Sequence, residues 1–352
     1  MSSKPTQLTG ENRLIRLLRD RYGGKSSPII MGIGDDAAVF GLGRREEIWT
    51  LTTDMLLENI DFRREWITPF DLGYKSISVN LSDLASMGAR PRFYTVSLGL
   101  PEDISERWVL RFYDGLTELG CRKGAFLIGG DLSRSEGGIV ISITAMGESL
   151  HRKVLYRSGG RAGDALYVTG VLGRSAAGLK LLEKGLRPSS SKARMDAIRA
   201  HRKPEPRCEA GLWLAQSGMV RCMMDLSDGL SVDLPRLCDA SRVGAEVHAA
   251  RIPVFSGSAS WGCDPLRLAL HGGEDFELLF SVSPSRAERL ETEYPACFPK
   301  LTRIGRLTRD AGKVWLVEPN GKRRRLAELG YDHFRGRSRG RRSGARRLPR
   351  DI

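Results

Sequence analysis

Six short segments set acidic residues beside glycine, serine or threonine: Gly32-Ile33-Gly34-Asp35-Asp36-Ala37, Thr52-Thr53-Asp54, Asn80-Leu81-Ser82-Asp83, Gly129-Gly130-Asp131, Asp225-Leu226-Ser227-Asp228-Gly229 and Gly272-Gly273-Glu274-Asp275. Singly, each reads as a turn, because Asp and Gly are ordinary turn residues. Together they supply seven aspartates, at 35, 36, 54, 83, 131, 225 and 228, that converging strand ends could bring into one region. Like charges gathered in that way repel one another or take up protons. A hard divalent cation removes the conflict, since Mg²⁺ takes oxygen ligands from carboxylates, water and phosphates. The neighbouring glycines let a phosphate approach backbone N–H groups. The chemistry this pattern suits is that of a Mg-nucleotide.

The common nucleotide signatures are missing. No G-x-x-x-x-G-K-[ST] occurs, which excludes a P-loop, and no H-R-D or D-F-G set occurs. Gly32 to Ala37 imitates the dinucleotide pattern G-x-G-x-x-A, but Asp35 and Asp36 would face a pyrophosphate that needs positive potential.

The elements that must position these residues alternate between helix and strand. Helical spacing marks Glu11 to Tyr22, and Thr68-Pro69-Phe70-Asp71 opens a helix that should run to about Met87 and stop at Gly88. Ser105 opens another, to about Cys121. Strands are expected at Ile48–Thr53, Phe93–Leu100, Ala125–Ile128 and Ile139–Gly147. After the glycines at 159–163 the pattern restarts. Strands are expected at Ala165–Thr169, Cys222–Asp225, Phe276–Val282 and Val314–Val317. Helices are expected at Arg174–Lys184, Cys208–Gln216, Gly229–Asp239 and Arg286–Glu293. The 352 residues therefore divide into two mixed α/β units at 1–157 and 158–334.

Charge is unevenly placed. The net charge is +14, and the tail at 335–352 carries half of it, with eight arginines and one acid. That segment is too poor in apolar residues to fold and reads as a disordered, solvated extension. Its G-x-S-x-G match at 336–340 lacks the flanking strand and helix of a nucleophile elbow. No apolar run is long enough to cross a bilayer. The N-terminus is polar, and the six cysteines form no CxxC pair, so a cytoplasmic protein with reduced thiols is expected.

In combination the motifs resemble those of the thiamine-monophosphate kinase family, in the superfamily that includes aminoimidazole ribonucleotide synthetase. GIGDDAAV at 32–39, TTDML at 52–56, NLSDLASMGA at 80–89, GGD at 129–131, RSGG at 157–160, DLSDGL at 225–230, GGEDFELL at 272–279 and YDHF at 331–334 occur in the family's order. The resemblance covers about residues 10–334 and implies an α+β fold of two domains, the first forming a barrel across a homodimer. By resemblance, Asp36, Thr52, Thr53, Asp54, Asp83, Asp131, Asp225 and Asp228 hold several Mg²⁺ ions. Tyr113, Gly130, Asp131, Arg157 and Ser227 contact ATP, and Asp61, Glu274 and Tyr331 contact thiamine monophosphate. Asp35 is an outer member of the acidic group. Asp61 departs from the family, which commonly has histidine there. An ionised aspartate only accepts hydrogen bonds, so it faces a cationic thiazolium or an aminopyrimidine, or marks a changed substrate.

The implied reaction transfers a phosphoryl group from ATP to a phosphate that is already ionised, so no strong general base is required. None of the five histidines lies in the aspartate motifs. Two other readings compete: another ATP-using enzyme of the superfamily, of the aminoimidazole ribonucleotide synthetase or hydrogenase-maturation type, and a nucleic-acid-binding protein acting through the arginine tail.

Overall fold

A computed structural model describes residues 11–22, 28–42, 48–150, 153–185 and 191–331. The basic tail and the Asp332, His333 and Phe334 of the YDHF segment lie outside these residues. The first half comprises α1 (Glu11–Tyr22), β1 (Ile29–Met31), β2 (Ala38–Gly41), β3 (Ile48–Leu57), α2 (Pro69–Ser86), β4 (Arg90–Leu100), α3 (Glu106–Arg122), β5 (Phe126–Arg134) and β6 (Val140–Ser149). The second comprises β7 (Ala165–Thr169), α4 (Arg174–Glu183), α5 (Lys192–Arg202), α6 (Cys208–Ser217), β8 (Val220–Leu226), α7 (Leu230–Ser241), β9 (Gly244–His248), α8 (Pro265–His271), β10 (Glu277–Val282), α9 (Pro284–Glu293), β11 (Leu301–Thr308), β12 (Val314–Val317) and β13 (Arg323–Arg325). No helix among the described residues is long and apolar enough to cross a membrane.

Each half builds one mixed sheet. The first runs β1-β2-β3-β6-β4-β5 and the second β13-β12-β9-β11-β7-β10-β8. Alternation along the strands sends Tyr94, Val96 and Leu98 of β4, with Ile141 and Ile143 of β6, into the core beneath α2 and α3. The other face of the same sheet leaves Thr53, Met55 and Ser97 exposed. All nine residues of the edge strand β5 are exposed, and Phe126, Ile128 and Leu132 are each more than half so.

α2 begins as the sequence requires. The Thr68 side chain accepts from the Asp71 N–H, and Pro69 fills the first turn. The helix is buried along most of its length because it is enclosed by both halves. Leu81 and Ala85 share one core with Cys208 and Leu214 of α6, Met223 of β8 and Phe280 of β10. Against α3 it packs at backbone distance. A Cβ on Gly73 would lie 1.9 Å from the Phe112 carbonyl, and one on Gly115 1.8 Å from the Phe70 carbonyl. Only glycine at both positions permits that approach.

Two strands run four or more residues past their expected C-terminal ends. β3 continues past Thr53 to Leu57 because its pairing with β6 holds from Ile48↔Ser149 to Leu57↔Val140. Gly129-Gly130-Asp131 lies inside β5 rather than at a strand end, since parallel pairing with β4 persists to Leu100↔Arg134.

Candidate active site

One face of α2 carries the site. Lys75, Val79, Ser82, Asp83 and Ser86 stand at i, i+4, i+7, i+8 and i+11, which is a single stripe along a helix. Each polar member bonds to a different acidic segment. Ser86 Oγ donates to Asp36 Oδ2 at 2.7 Å, and Ser82 Oγ donates to Asp225 Oδ2 at 2.7 Å. Asp83 Oδ2 accepts from Thr52 Oγ1 at 2.5 Å, and Lys75 Nζ lies 2.5 Å from Glu274 Oε1. The buried helix thus ties the start of the chain, β3, the end of β8 and the loop before β10 to one frame.

Around its C-terminal half lies a pool of carboxylates. Single oxygens of Asp36, Asp83 and Asp225 are all within 4.8 Å of one another. Asp54 shares the pool, and among the described residues no donor reaches its buried Oδ2. Asp228 follows on the loop after β8, where it accepts from Arg236 Nη1 at 2.5 Å. Arg157 closes one side. Its Nε donates to Asp36 Oδ1 at 2.7 Å and its Nη2 bonds the same oxygen, while its backbone N–H donates to Asp35 Oδ2 at 3.1 Å. Burial is the largest influence on these acids, and like charge adds to it. Asp35 is pushed up to about 7 by burial and Asp36, Asp54 to about 6 by burial with Asp228, Asp36 and Asp61, and Asp225 to about 7 by burial and Asp36. Asp83 is raised well above the carboxylate range by burial, Asp54 and Asp225.

The other end of the cleft is built differently. Glu274 has a left-handed backbone at φ 64°, rare for a side-chain-bearing residue, in the loop after α8. Its N–H donates to the Ser227 carbonyl at 2.6 Å. Burial alone would raise its pKa, but Lys75 and then His201 outweigh that and hold it at about 2. Asp61 accepts from the Leu57 N–H at 2.8 Å, in the turn that follows β3. Tyr331 arrives on the C-terminal segment, its N–H bonded to the Asp228 carbonyl at 3.3 Å. Its hydroxyl is pushed up to about 12 by burial and by the charges of Asp61, Glu274 and Asp228. Acid pool, Arg157, Ser227, Asp61, Glu274 and Tyr331 line one continuous cleft of about 1760 Å³.

Comparison with known proteins gives the family. The family model AIR synthase related protein, N-terminal domain, matches residues 34–149, and its C-terminal counterpart matches 161–317. The thiamine-monophosphate kinase of Escherichia coli K12 is 37% identical over 92% of this chain and 98% of its own length. That of Bacillus subtilis 168 is 34% identical over 88% and 95%. This chain belongs to the thiamine-monophosphate kinase family. The solved structure of AaThiL complexed with AMPPCP and TMP superposes with a TM-score of 0.80 at 32% identity, covering 94% of this chain and all of that one.

Within this member of the thiamine-monophosphate kinase family, most of the expected site residues converge, but four do not converge in full. Thr53 borders the cleft, yet the pleat turns its hydroxyl to the opposite sheet face. There it donates to the Ile143 carbonyl at 3.1 Å and accepts from Thr144 Oγ1 at 3.1 Å. Tyr113, Gly130 and Asp131 are not among the lining residues. Tyr113 is set edge-on to Phe112 at 5.7 Å, against the core. Asp131 pairs with Ser97, Ser97 with Ser142, and Ser142 with Met55. Three interstrand steps of about 4.8 Å put Asp131 roughly 14 Å from β3 in its own chain. The seven aspartates expected in one region are therefore six within a single chain, because the strand bearing the seventh is at the far sheet edge. Lys75, His201, Ser82 and Ser86 were not anticipated. For Lys75, Ser82 and Ser86 the available signal was their helical spacing on one face of α2, and His201, on α5, had none.

Proposed function

We propose that this chain transfers the γ-phosphoryl group of ATP to thiamine monophosphate, giving ADP and thiamine diphosphate. The observation that carries the reading is a single cleft lined by two unlike sets of residues: a carboxylate pool with Arg157, and Asp61, Glu274 and Tyr331. The second set suits a cationic, amino-bearing heteroaromatic group. Two carboxylates accept from N–H donors or balance a positive ring, and a tyrosine face attracts it. A phosphate oxygen of the acceptor forms the new P–O bond as the bond to ADP breaks. Since that oxygen is already ionised, the chain's task is alignment and neutralisation of charge.

The pool fits hard divalent cations, on the observation that its ligand atoms are all oxygen and that no donor among the described residues reaches the buried Asp54 Oδ2. Asp36, Thr52, Asp54, Asp83, Asp225 and Asp228 would hold Mg²⁺. Bound there, Mg²⁺ supplies neutralisation of the phosphate oxygens. Arg157 then keeps a fixed positive charge beside Asp36.

Metal binding has a measurable pH signature. Asp35, Asp54, Asp83 and Asp225 have folded-state values above their ordinary 3.8. Without metal, these four groups hold more protons in the folded chain than in the unfolded one between about pH 4 and 7. Stability from these groups is complete below pH 4 and is lost as the pH rises through 6 to 7. His201 and His271, lowered by burial, act in the opposite sense, so the diagnostic is the Mg²⁺ increment itself. Mg²⁺ is expected to raise Tm by several degrees at pH 7.5 and by clearly less at pH 5.5, where protons compete for the ligands. An equal increment at both values would remove the pool as the metal site.

The exposed β5 edge and the uncovered sheet face fit closure onto a second copy, as a homodimer with a shared barrel. In that assembly Asp131, Gly130 and Tyr113 of one copy would serve the cleft of the other. The deciding assay for the reaction is ATP consumption with thiamine, thiamine monophosphate, selenide and aminoimidazole precursors offered separately. Turnover with the monophosphate alone is expected. Turnover with free thiamine alone would overturn the assignment.

A further inference from the structure

The buried ammonium of Lys75 has no place in the phosphoryl transfer described above. It is only 1% exposed, on the N-terminal half of α2. A buried lysine charge is costly unless paired, and its partner is Glu274 Oε1 at 2.5 Å. The second oxygen, Oε2, is 3.0 Å from His201 Nδ1 on α5, and that nitrogen also lies 3.1 Å from Ser175 Oγ on α4. Burial and then Lys75 lower the His201 pKa, so the imidazole is neutral at pH 7 and offers one N–H to the carboxylate.

The Glu274 carboxylate is thus clamped at both oxygens, from helices of both halves of the chain, yet its side chain remains 28% exposed to the cleft. An ionised carboxylate has about four acceptor positions, and two are occupied here. The rest are left for a donor from the cleft that Glu274 lines. Glu274 cannot swing to meet a ligand, because movement would strand the Lys75 charge.

We propose that Lys75 is a positioning residue, which with His201 fixes the Glu274 carboxylate as an immobile acceptor for an N–H group on the heteroaromatic end of the acceptor substrate. The inference rests on the reading of Glu274 as an acceptor contact. An ion pair that only joined the two halves would be a matter of stability. A positioning role acts on the acceptor's binding through Glu274 alone.

The experiment is a double-mutant cycle in the full chain, with KM for thiamine monophosphate, KM for ATP and Tm as readouts. Glu274→Gln is expected to raise the acceptor KM about tenfold, the usual effect of losing a hydrogen bond to a charged group. Lys75→Met should raise it by a similar factor and lower Tm. The double variant should be no worse in acceptor KM than Glu274→Gln, and should recover Tm because no buried charge is left unpaired. KM for ATP should stay within about twofold throughout, since the pool end is untouched. A wild-type acceptor KM in Lys75→Met, or a double variant showing the product of the two single effects, overturns the proposal. If Lys75→Met does not fold, the double variant against Glu274→Gln decides alone: equality supports positioning, and a further tenfold loss refutes it. An unchanged acceptor KM in Glu274→Gln would instead remove the underlying reading of Glu274.

Discussion

Asp54→Asn is expected to lower kcat by roughly a thousandfold, since a metal clamp contributes several kcal/mol and each 1.4 kcal/mol is a factor of ten. The fold should survive. Asn has the same shape, and Asp54 makes its contribution at the cost of burying a charge beside Asp228, Asp36 and Asp61. Removing that charge relieves repulsion, so the metal-free variant should melt at or above the wild-type temperature. The Mg²⁺ increment in Tm should shrink in the same variant. A variant with full turnover at ordinary Mg²⁺ would remove Asp54 from the metal site. A variant that loses activity together with its circular-dichroism signal would show a structural role instead.

The proposed homodimer gives the second large effect, through mixed dimers. With Asp131 roughly 14 Å from β3 of its own chain, an Asp131 that serves catalysis must do so across the subunit boundary. Asp131→Asn and Asp54→Asn homodimers should each be nearly inactive. A heterodimer of the two, isolated by different tags on each chain, contains one cleft with both defects and one with neither. It should recover about half of the wild-type activity per dimer, as a two-fold assembly with one intact site requires. If Asp131 acted on its own chain, both clefts would be broken and the heterodimer would be as inactive as its parents. Gel filtration of the wild-type chain as a monomer would refute the arrangement outright.

The sequence was most informative where a local signal coincided with a tertiary need. Thr68-Pro69-Phe70-Asp71 placed the start of α2 to the residue, because a capping threonine and a first-turn proline act within one turn. The acidic segments were legible as a set because water-facing turns seldom repeat Asp beside Gly or Thr in this manner. Other elements left weaker traces. β11 spaces its apolar residues, Leu301, Ile304 and Leu307, three apart instead of alternately, and is broken by Gly305, where a Cβ would lie 2.0 Å from the Glu246 carbonyl. α5 is crowded with basic residues and buries only Ala197, Ile198 and His201. Lys75 was invisible for a different reason. A lysine in a helix is normally solvated, and nothing local announces that both faces of α2 are covered. Asp131 shows a further limit: a motif specifies what a residue can bind, but pairing register specifies which chain's cleft it can reach.

α2 was described as a buried frame that touches four acidic segments. It is also a ruler. Lys75 and Asp83 are eight residues apart on one face, and at 1.5 Å per residue that is about 12 Å of rigid rise. Glu274 is clamped at one mark, and Asp83 of the carboxylate pool stands at the other. An acceptor held by its ring at the first mark reaches the second only if its own length spans the interval. A molecule shorter by one phosphate would bind at the ring end and present nothing to the pool. On the proposed assignment of the two ends, discrimination between a phosphorylated acceptor and its free alcohol is a matter of length, set by helix geometry rather than by any residue that touches the missing group.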